Sequence, residues 1–292
     1  MIGKRKFASI AADILIYAFL FFLAVITLYP VLYIISTSIS DSVSVMKNEV
    51  ILIPKGINFG AYQEILKNKS IWTGYANSLF LLFFGTAINV VMNICAAFPL
   101  SRKDFCFRKG FMLMIVFTMF FSGGMIPTYL VVDALHLTNS LWGLIIPTAV
   151  NAFNIIIMRS FFEGIPDSLA EAVKIDGGTD LNVLFQIYIP LSMPVIAVIA
   201  LYYGVAHWNG FTQALIYIRN RELYPLQIIL RELLLQNKAK DMVPSSDVSD
   251  MLGATRSIQY ATIVVSIVPM LILYPFLQKY FVKGMTLGAV KG

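Results

Sequence analysis

The side chains that could carry covalent or acid–base chemistry are few, and they form no recognisable catalytic pattern. The two histidines, His136 and His207, lie far apart, and neither belongs to a motif with a paired carboxylate. The two cysteines, Cys95 and Cys106, fall in or beside an apolar run without a nearby histidine, so they predict neither a metal site nor a disulfide framework. The sequence also lacks the phosphate-binding loop G-x-x-x-x-G-K-S/T and the motifs G-x-S-x-G and H-E-x-x-H. We therefore predict no enzymatic activity, no metal site and no cofactor bound by this chain.

A short charged stretch, GIPDSLAEAVKIDGG, interrupts the apolar sequence and has the features of a complete helix. Pro166 suits the first helical turn, where its missing N–H is not needed, and Asp167 and Glu171 lie toward the positive end of the helix dipole. Gly177 and Gly178 can adopt the left-handed conformation that ends a helix. About eleven residues at 1.5 Å each give roughly 16 Å, about half of a bilayer core, so this helix is too short to span a membrane.

One face of the short helix is suited to contact with another protein. Leu169, Ala172, Val173 and Asp176 recur at positions i, i+3, i+4 and i+7, which places them on one side. The alternative is a helix that lies on lipid headgroups, but such helices favour Lys or Arg on the polar face. Because the polar residues here are mostly acidic, we expect the helix to dock in a pocket of a partner protein.

The rest of the chain has the composition of a membrane protein. Of its residues, 58% are hydrophobic and 13% are charged, against about 25% charged in soluble domains. The net charge of +6 includes no block of like charges, so it indicates membrane topology rather than nucleic-acid binding. A transmembrane helix needs about 20 mostly apolar residues. Six stretches without Asp, Glu, Lys or Arg are long enough to cross once, namely 14–40, 70–101, 111–132, 134–158, 181–218 and 257–278.

The orientation of these spans follows from the short loops. Basic residues are concentrated at the N-terminus, in the loop SRKDFCFRKG and in the C-terminal tail, whereas the turn around HLTNS carries none. Since Lys and Arg accumulate in short cytoplasmic loops, both termini are predicted to be cytoplasmic, and the short acidic helix lies on the same side. The first span is too long for the core of a signal peptide and lacks a cleavage site, so we expect it to be retained.

Asparagines within the spans are the candidates for contact with a transported molecule, namely Asn89, Asn93, Asn151 and Asn154. Amides inside a bilayer more often join neighbouring helices by hydrogen bonds, and the sequence leaves both interpretations open. Prolines and glycines within several spans are likewise consistent with ordinary kinks or with helices that move during transport.

The segment EAVKIDGGTDLNVLFQIYIP resembles the EAA loop of binding-protein-dependent ABC importer permeases. The family pattern is Glu-Ala-Ala, three residues, Gly, nine residues, Ile, one residue and Leu-Pro. The matching positions are Glu171, Ala172, Val173, Gly177, Ile187, Ile189 and Pro190, with Val173 replacing the second Ala and Ile189 replacing Leu. Elsewhere, HWNGFTQALIYI and the tail QKYFVKGMTLGAVKG are similar to the carbohydrate branch, of the maltose type, and the nearest subgroup imports complex oligosaccharides.

This resemblance implies a role for the short helix. In the family it is a coupling helix, which docks in a cleft of a separate ATPase subunit and passes the closure of that subunit to the spans. The implied docking residues are Glu171, Ala172, Val173, Asp176 and Gly177, with Glu171 in a polar contact and Gly177 at the turn into the fifth span. The resemblance further implies that the tail lies at the ATPase interface, through Gly284, Gly288, Lys291 and Gly292.

The resemblance also implies the partners: a second, homologous permease, two ATPase subunits that bind ATP and Mg²⁺, an extracytoplasmic sugar-binding protein, and the lipid of a bacterial cytoplasmic membrane. We therefore predict an all-α integral membrane protein with the type I ABC importer permease fold. Residues 1–292 would form one domain, with core spans at about 70–282 and the coupling helix at about 165–177. The alternatives are a non-transporting membrane scaffold and an ion-coupled carrier, but a carrier usually buries a carboxylate within a span, and this sequence has none there.

Overall fold

The computed structural model describes residues 7–241, 255–272 and 275, and within them every regular element is helical. Two turns are π-helical, at Leu81–Gly85 and Leu184–Tyr188, and two are 3₁₀-helical, at Ile146–Thr148 and Arg221–Leu223. The α-helices in chain order are α1 (Phe7–Ser38), α2 (Ser42–Met46), α3 (Gly60–Lys67), α4 (Lys69–Phe80), α5 (Thr86–Ser101), α6 (Arg108–Phe120), α7 (Met125–Ala134), α8 (Trp142–Ile145), α9 (Ala152–Glu163), α10 (Asp167–Ile175), α11 (Asp180–Val183), α12 (Ile189–Leu191), α13 (Met193–Asn209), α14 (Thr212–Tyr217), α15 (Leu226–Asp241) and α16 (Thr255–Ile272).

Three helical segments of the described chain are long and apolar enough to cross a membrane without a break, namely Ala12–Ser38, Lys69–Ser101 and Thr255–Ile272. Three further segments satisfy the same test only as bent pairs of helices. These are Arg108–Phe120 with Met125–Ala134, Trp142–Thr148 with Ala152–Glu163, and Asp180–Leu191 with Met193–Asn209. The described chain therefore accommodates six crossings if each bent pair is one span, and the count of six stays a prediction.

The bends occur where the sequence interrupts helical hydrogen bonding. The sharpest, 119°, lies between Phe120 and Met125, where Gly124 adopts a left-handed φ of +84° that side chains with a Cβ rarely adopt. The bend of 80° lies at Ser192, between Pro190 and Pro194, whose rings cannot donate the helical hydrogen bond. Each of these two segments is mostly apolar along its length in the sequence, but it forms two short helices in the structure.

The chain divides into two compact units, and the first contains Met1–Lys69 and Leu230–Ile267. In this unit α1 carries exposed apolar side chains along most of its length. A helix that packs against one neighbour has its apolar residues on one side, whereas those of α1 are distributed around the helix. Its C-terminal end is tied to the following segment, since the hydroxyl groups of Ser38 and Tyr62 are 2.7 Å apart. The rings of Tyr33 and Tyr260 meet edge to face, with centroids separated by 5.7 Å.

The second unit contains Ser70–Ile229 and Val268–Gly292 and has a hydrophobic core that supports α10. Side chains from α5, α9, α10 and α13 meet in this core around Met158, Phe162 and Ile199, each at most 1% exposed. Ala170 of α10 belongs to the same cluster and is 2% exposed. The short acidic helix is therefore packed against helices with membrane-span character within its own unit.

Candidate functional site

The acidic helix α10 begins and ends close to the predicted positions. It covers Asp167–Ile175, two residues shorter at each end than the predicted 165–177, and Pro166 stands at the N-cap rather than in the first turn. Gly177 adopts a φ of +82°, the left-handed conformation expected of it, whereas Gly178 does not. The chain thus leaves α10 through a single left-handed residue.

Gly178 serves the helix end in another way. Its N–H donates to Val173 O at 2.8 Å, while the N–H of Gly177 donates to Lys174 O at 3.1 Å. Together these two bonds form a Schellman ending. A Cβ at position 178 would lie 2.5 Å from Val173 Cγ1 and 2.8 Å from Val173 O. Glycine at position 178 therefore lets the chain turn back tightly against α10.

One side of α10 faces its own unit and the opposite side is exposed. At about 100° per residue, Asp167, Ala170, Val173 and Lys174 occupy one arc, and Val173 packs against the core around Phe162. The exposed arc, here called the free face, consists of Ser168, Glu171, Ala172, Ile175 and Asp176. Relative to the predicted face of Leu169, Ala172, Val173 and Asp176, the free face is rotated, because Val173 turns inward and Ile175, at 85% exposure, turns outward.

The charges of α10 divide in the same way. Asp167 accepts a hydrogen bond from Lys103 Nζ at 2.7 Å, and Lys174 Nζ lies 3.0 Å from Asp180 Oδ1. By contrast, the carboxylates of Glu171 and Asp176 make no hydrogen bond or ion pair with any described residue. The free face therefore presents two unneutralised negative charges beside the exposed side chain of Ile175.

The loop between α5 and α6 anchors this helix, a function that the sequence did not reveal. Its Lys103 holds Asp167, and its Asp104 lies 3.8 Å from Lys174. The hydrogen bond from Lys103 lowers the pKa of Asp167 and raises that of Lys103 itself. A hydrogen bond from Arg102 lowers the pKa of Asp104. In the sequence the basic residues of SRKDFCFRKG indicate only membrane topology. The acidic residues of α10 and the basic residues of this loop are opposite in charge, which is the one signal in the sequence that hints at their contact.

Three of the four candidate asparagines are buried inside the bundle. Asn89 and Asn93 are 0% exposed and Asn154 is 6% exposed. Asn89 donates through Nδ2 to the carbonyl oxygen of Thr148, and Asn93 donates through Nδ2 to Tyr203 Oη at 2.6 Å. Asn89 and Asn93 therefore link neighbouring parts of the bundle by hydrogen bonds, which is the structural interpretation that the sequence left open beside contact with a transported molecule.

An open cavity with a volume of about 740 Å³ lies beside α13. Of the four asparagines only Asn151 lines it, and the side chain of Asn151 also caps α9 by accepting from Asn154 N at 3.2 Å. Tyr203 and His207 of α13 line the same cavity. Asn89 and Asn93 therefore stand behind the cavity wall and hold two residues that form it. No pattern in the sequence indicated this position of His207 in the cavity wall.

The predicted tail residues Gly284, Gly288, Lys291 and Gly292 lie outside the described residues. Their contact with an ATPase interface stays a prediction.

Comparison with known proteins identifies the family. Residues 70–287 match the family described as "Binding-protein-dependent transport system inner membrane component". The chain belongs to this family. As an inner membrane component of a transport system it is not an enzyme, which confirms the prediction from the sequence.

Individual relatives of this inner membrane component are also transport permeases. It is 42% identical to the polygalacturonan/rhamnogalacturonan transport system permease protein YtcP of Bacillus subtilis, over 96% of this chain and 98% of the relative. It is 29% identical to the arabinooligosaccharides transport system permease protein AraQ of Halalkalibacterium halodurans, over 99% of this chain and 100% of the relative. A chain of a crystal structure of a bacterial ABC transporter involved in the import of the acidic polysaccharide alginate matches with a TM-score of 0.87 and 36% identity, over 96% of this inner membrane component and 99% of that chain. These matches confirm the predicted helical permease fold.

Proposed function

We propose that the chain is one permease subunit of an ATP-driven ABC importer and forms half of the translocation pathway for an oligosaccharide. The relatives named for polygalacturonan, arabinooligosaccharides and alginate support this class of substrate. The observation that carries the proposal is the free face of α10, an exposed acidic helix surface seated on the core of the permease. Such a surface suits a subunit that receives force from a partner and passes it to membrane helices.

The free face is the part of α10 that enters a cleft of the ATPase subunit. Glu171 and Asp176 supply negative charge without an internal partner, so the cleft is expected to supply cations. Ala172 permits close approach, and Ile175 supplies an exposed apolar contact. Gly177 provides the turn that leads the chain onward. Val173 contributes from the inner side, because it packs on the core and transmits displacement of the helix.

The complete transporter contains this chain, a second homologous permease, two ATPase subunits that bind ATP and Mg²⁺, and an extracytoplasmic sugar-binding protein. The family description, a binding-protein-dependent transport system, supports the last of these partners. Both termini and α10 lie on the cytoplasmic side of a bacterial cytoplasmic membrane. In the proposed assembly the tail residues Gly284, Gly288, Lys291 and Gly292 reach the interface between the ATPases.

The test is a charge reversal on the free face in the complete complex, reconstituted in proteoliposomes. Glu171→Lys places a cation against a cleft expected to be cationic, so both ATP hydrolysis stimulated by the loaded binding protein and sugar uptake should fall at least tenfold, equivalent to about 1.4 kcal/mol. Glu171→Gln removes the charge without reversal and should have a smaller effect. Membrane insertion should be unchanged, because Glu171 is exposed and its carboxylate makes no hydrogen bond or ion pair with a described residue.

Glu64→Lys is the control, since Glu64 is an exposed helical glutamate of α3 and does not belong to the free face. It should leave both activities unchanged. Wild-type levels of coupled uptake in Glu171→Lys would show that α10 does not dock through its free face. Sugar uptake by the wild-type complex without ATP, driven by an ion gradient, would instead indicate a secondary carrier, and a complex that imports no sugar would support a scaffold.

A further inference from the structure

We propose that the cavity beside α13 is a sugar-binding site in which His207, Tyr203, Asn151 and Gln213 bind the hydroxyl groups of one ring. This proposal rests on the proposed function and assigns the substrate contacts contributed by this subunit. All four residues line the cavity. The buried asparagines Asn89 and Asn93 act as positioning residues behind it.

The hydrogen-bond network determines which nitrogen of His207 is available. A backbone carbonyl can only accept, so the group of Asn89 that faces Thr148 O is the amide NH₂. The Asn89 Oδ1 atom then faces His207 Nε2 at 2.8 Å and accepts from it. Nε2 therefore carries a hydrogen and is fully engaged, and Nδ1 is the ring nitrogen left for a ligand. Asn89 thus fixes the orientation of an imidazole that lines the cavity.

A second buried amide orients Tyr203 in the same manner. Asn93 Nδ2 donates to Tyr203 Oη at 2.6 Å and to the backbone oxygen of Asn89 at 2.8 Å. The phenol oxygen of Tyr203 accepts this bond and keeps its own hydrogen to donate. The part of the cavity wall that α13 forms therefore offers the hydroxyl group of Tyr203 as a donor and Nδ1 of His207 as a second polar group. A sugar hydroxyl both donates and accepts, so it can satisfy groups of either kind.

The helix opposite His207 is shaped to admit its ring. Gly85 is the last residue of the π-helical turn Leu81–Gly85, and a Cβ at this position would lie 2.7 Å from His207 Nε2. Any larger residue would displace the imidazole from Asn89. π-helical turns are rare in proteins, and those that occur are often found at functional sites. The close approach at Gly85 is therefore independent support for a specific placement of His207.

The remaining lining indicates the chemical class of the ligand. None of the described residues that line the cavity is Asp, Glu, Lys or Arg, so the wall neither attracts nor repels charge strongly. Phe153, which is 53% exposed, supplies aromatic surface, whereas Tyr203 is only 6% exposed. Asn151 and Gln213 supply amides. The volume lies in the range of small-molecule sites, about 300–1,000 Å³. These features suit a polyhydroxylated ring, and the lack of acidic side chains lets the ring carry a carboxylate.

The test uses the complete transporter in proteoliposomes with its binding protein, and short oligogalacturonides and short arabinooligosaccharides as probes. His207→Gln and, separately, Gln213→Ala should lower uptake per ATP hydrolysed by about five- to tenfold, the effect of losing one hydrogen bond. ATP hydrolysis stimulated by the loaded binding protein should persist, because neither residue lies on α10. Gln213 is exposed, so Gln213→Ala keeps the proposal testable if His207→Gln fails to assemble.

His136→Gln is the matched control, because the chain has two histidines and His136 is exposed and outside the cavity lining. It should match the wild-type complex. If the wild-type complex imports a probe and both cavity variants import it with the same yield per ATP, the sugar site is wrong and the proposed function stands. If the wild-type complex imports neither probe class nor any other sugar carried by its binding protein, the proposed function fails and this site fails with it.

Discussion

The free face of α10 and the cavity beside α13 are built in different ways. The free face depends on a segment of about ten neighbouring residues, and its anchors are exposed ion pairs, with the side chains of Lys103 and Asp167 exposed by 80% and 54%. The cavity wall depends on Asn89 and His207, which are separated by 118 positions and joined in a part-buried hydrogen bond. Exposed pairs contribute little individually, whereas a buried polar group without a partner is costly. The free face should therefore tolerate neutral substitutions that the cavity wall does not.

The largest expected effect on stability comes from the cavity network. Asn89→Leu leaves His207 Nε2 and Thr148 O without their partner, so we expect a loss of about 1–3 kcal/mol in the free energy of unfolding. Thermal unfolding of the purified complex measures it. Asn209→Leu is the control, because Asn209 is exposed on α13 and donates only to Val205 O of its own helix. Equal stability of the two variants would contradict a buried network that holds the wall.

An intermediate effect is expected at the end of α10. Gly177→Val forces a branched side chain into a φ of +82°, at a cost of about 1–2 kcal/mol that falls locally on the turn after the helix. Uptake should fall clearly while the unfolding temperature falls only slightly, because the turn displaces the free face from the ATPase that is proposed to bind it. Parallel measurement of uptake and unfolding temperature checks this prediction.

Gly110→Val tests whether the effect at Gly177 is specific. Gly110 lies in α6 without a left-handed φ, and a Cβ there would meet no atom within 4 Å. Gly110→Val should therefore leave uptake nearly unchanged. Loss of uptake in both variants would show that the left-handed turn is not the cause.

The smallest expected effect concerns the anchor of α10. The hydrogen bond from Lys103 lowers the pKa of Asp167, so its stabilising contribution is present above the ordinary carboxyl pKa and is lost as pH falls through the lowered value. The same bond raises the pKa of Lys103, so the contribution is also lost as pH rises through that raised value. Lys103→Met should thus lower the unfolding temperature slightly near neutral pH and have no effect in strong acid.

Lys109→Met provides the matching control, since Lys109 is exposed and forms no ion pair with a described residue. Its unfolding temperature should follow that of the wild-type complex across the whole pH range. A difference between Lys103→Met and wild type that persists unchanged in strong acid would contradict the role of the ion pair.

The local features of this protein could be predicted from its sequence. The start of α10 near Pro166 and its end at Gly177 follow from conformational preferences of single residues, which act whatever surrounds them. The membrane character of the chain follows from the length of its apolar stretches. The match to the EAA pattern at Glu171 and Gly177 indicated the family, because that pattern lies within one continuous segment.

The side of each helix that faces the core or a distant segment could not be predicted, because it depends on how the folded chain packs. The inward turn of Val173 and the outward turn of Ile175 depend on the core around Phe162, to which residues far apart in the chain contribute. The anchoring of Asp167 by Lys103 spans 64 positions. An isolated histidine in the sequence carries no sign that a distant Asn89 fixes its ring, since a hydrogen bond between helices depends on packing and leaves no local pattern.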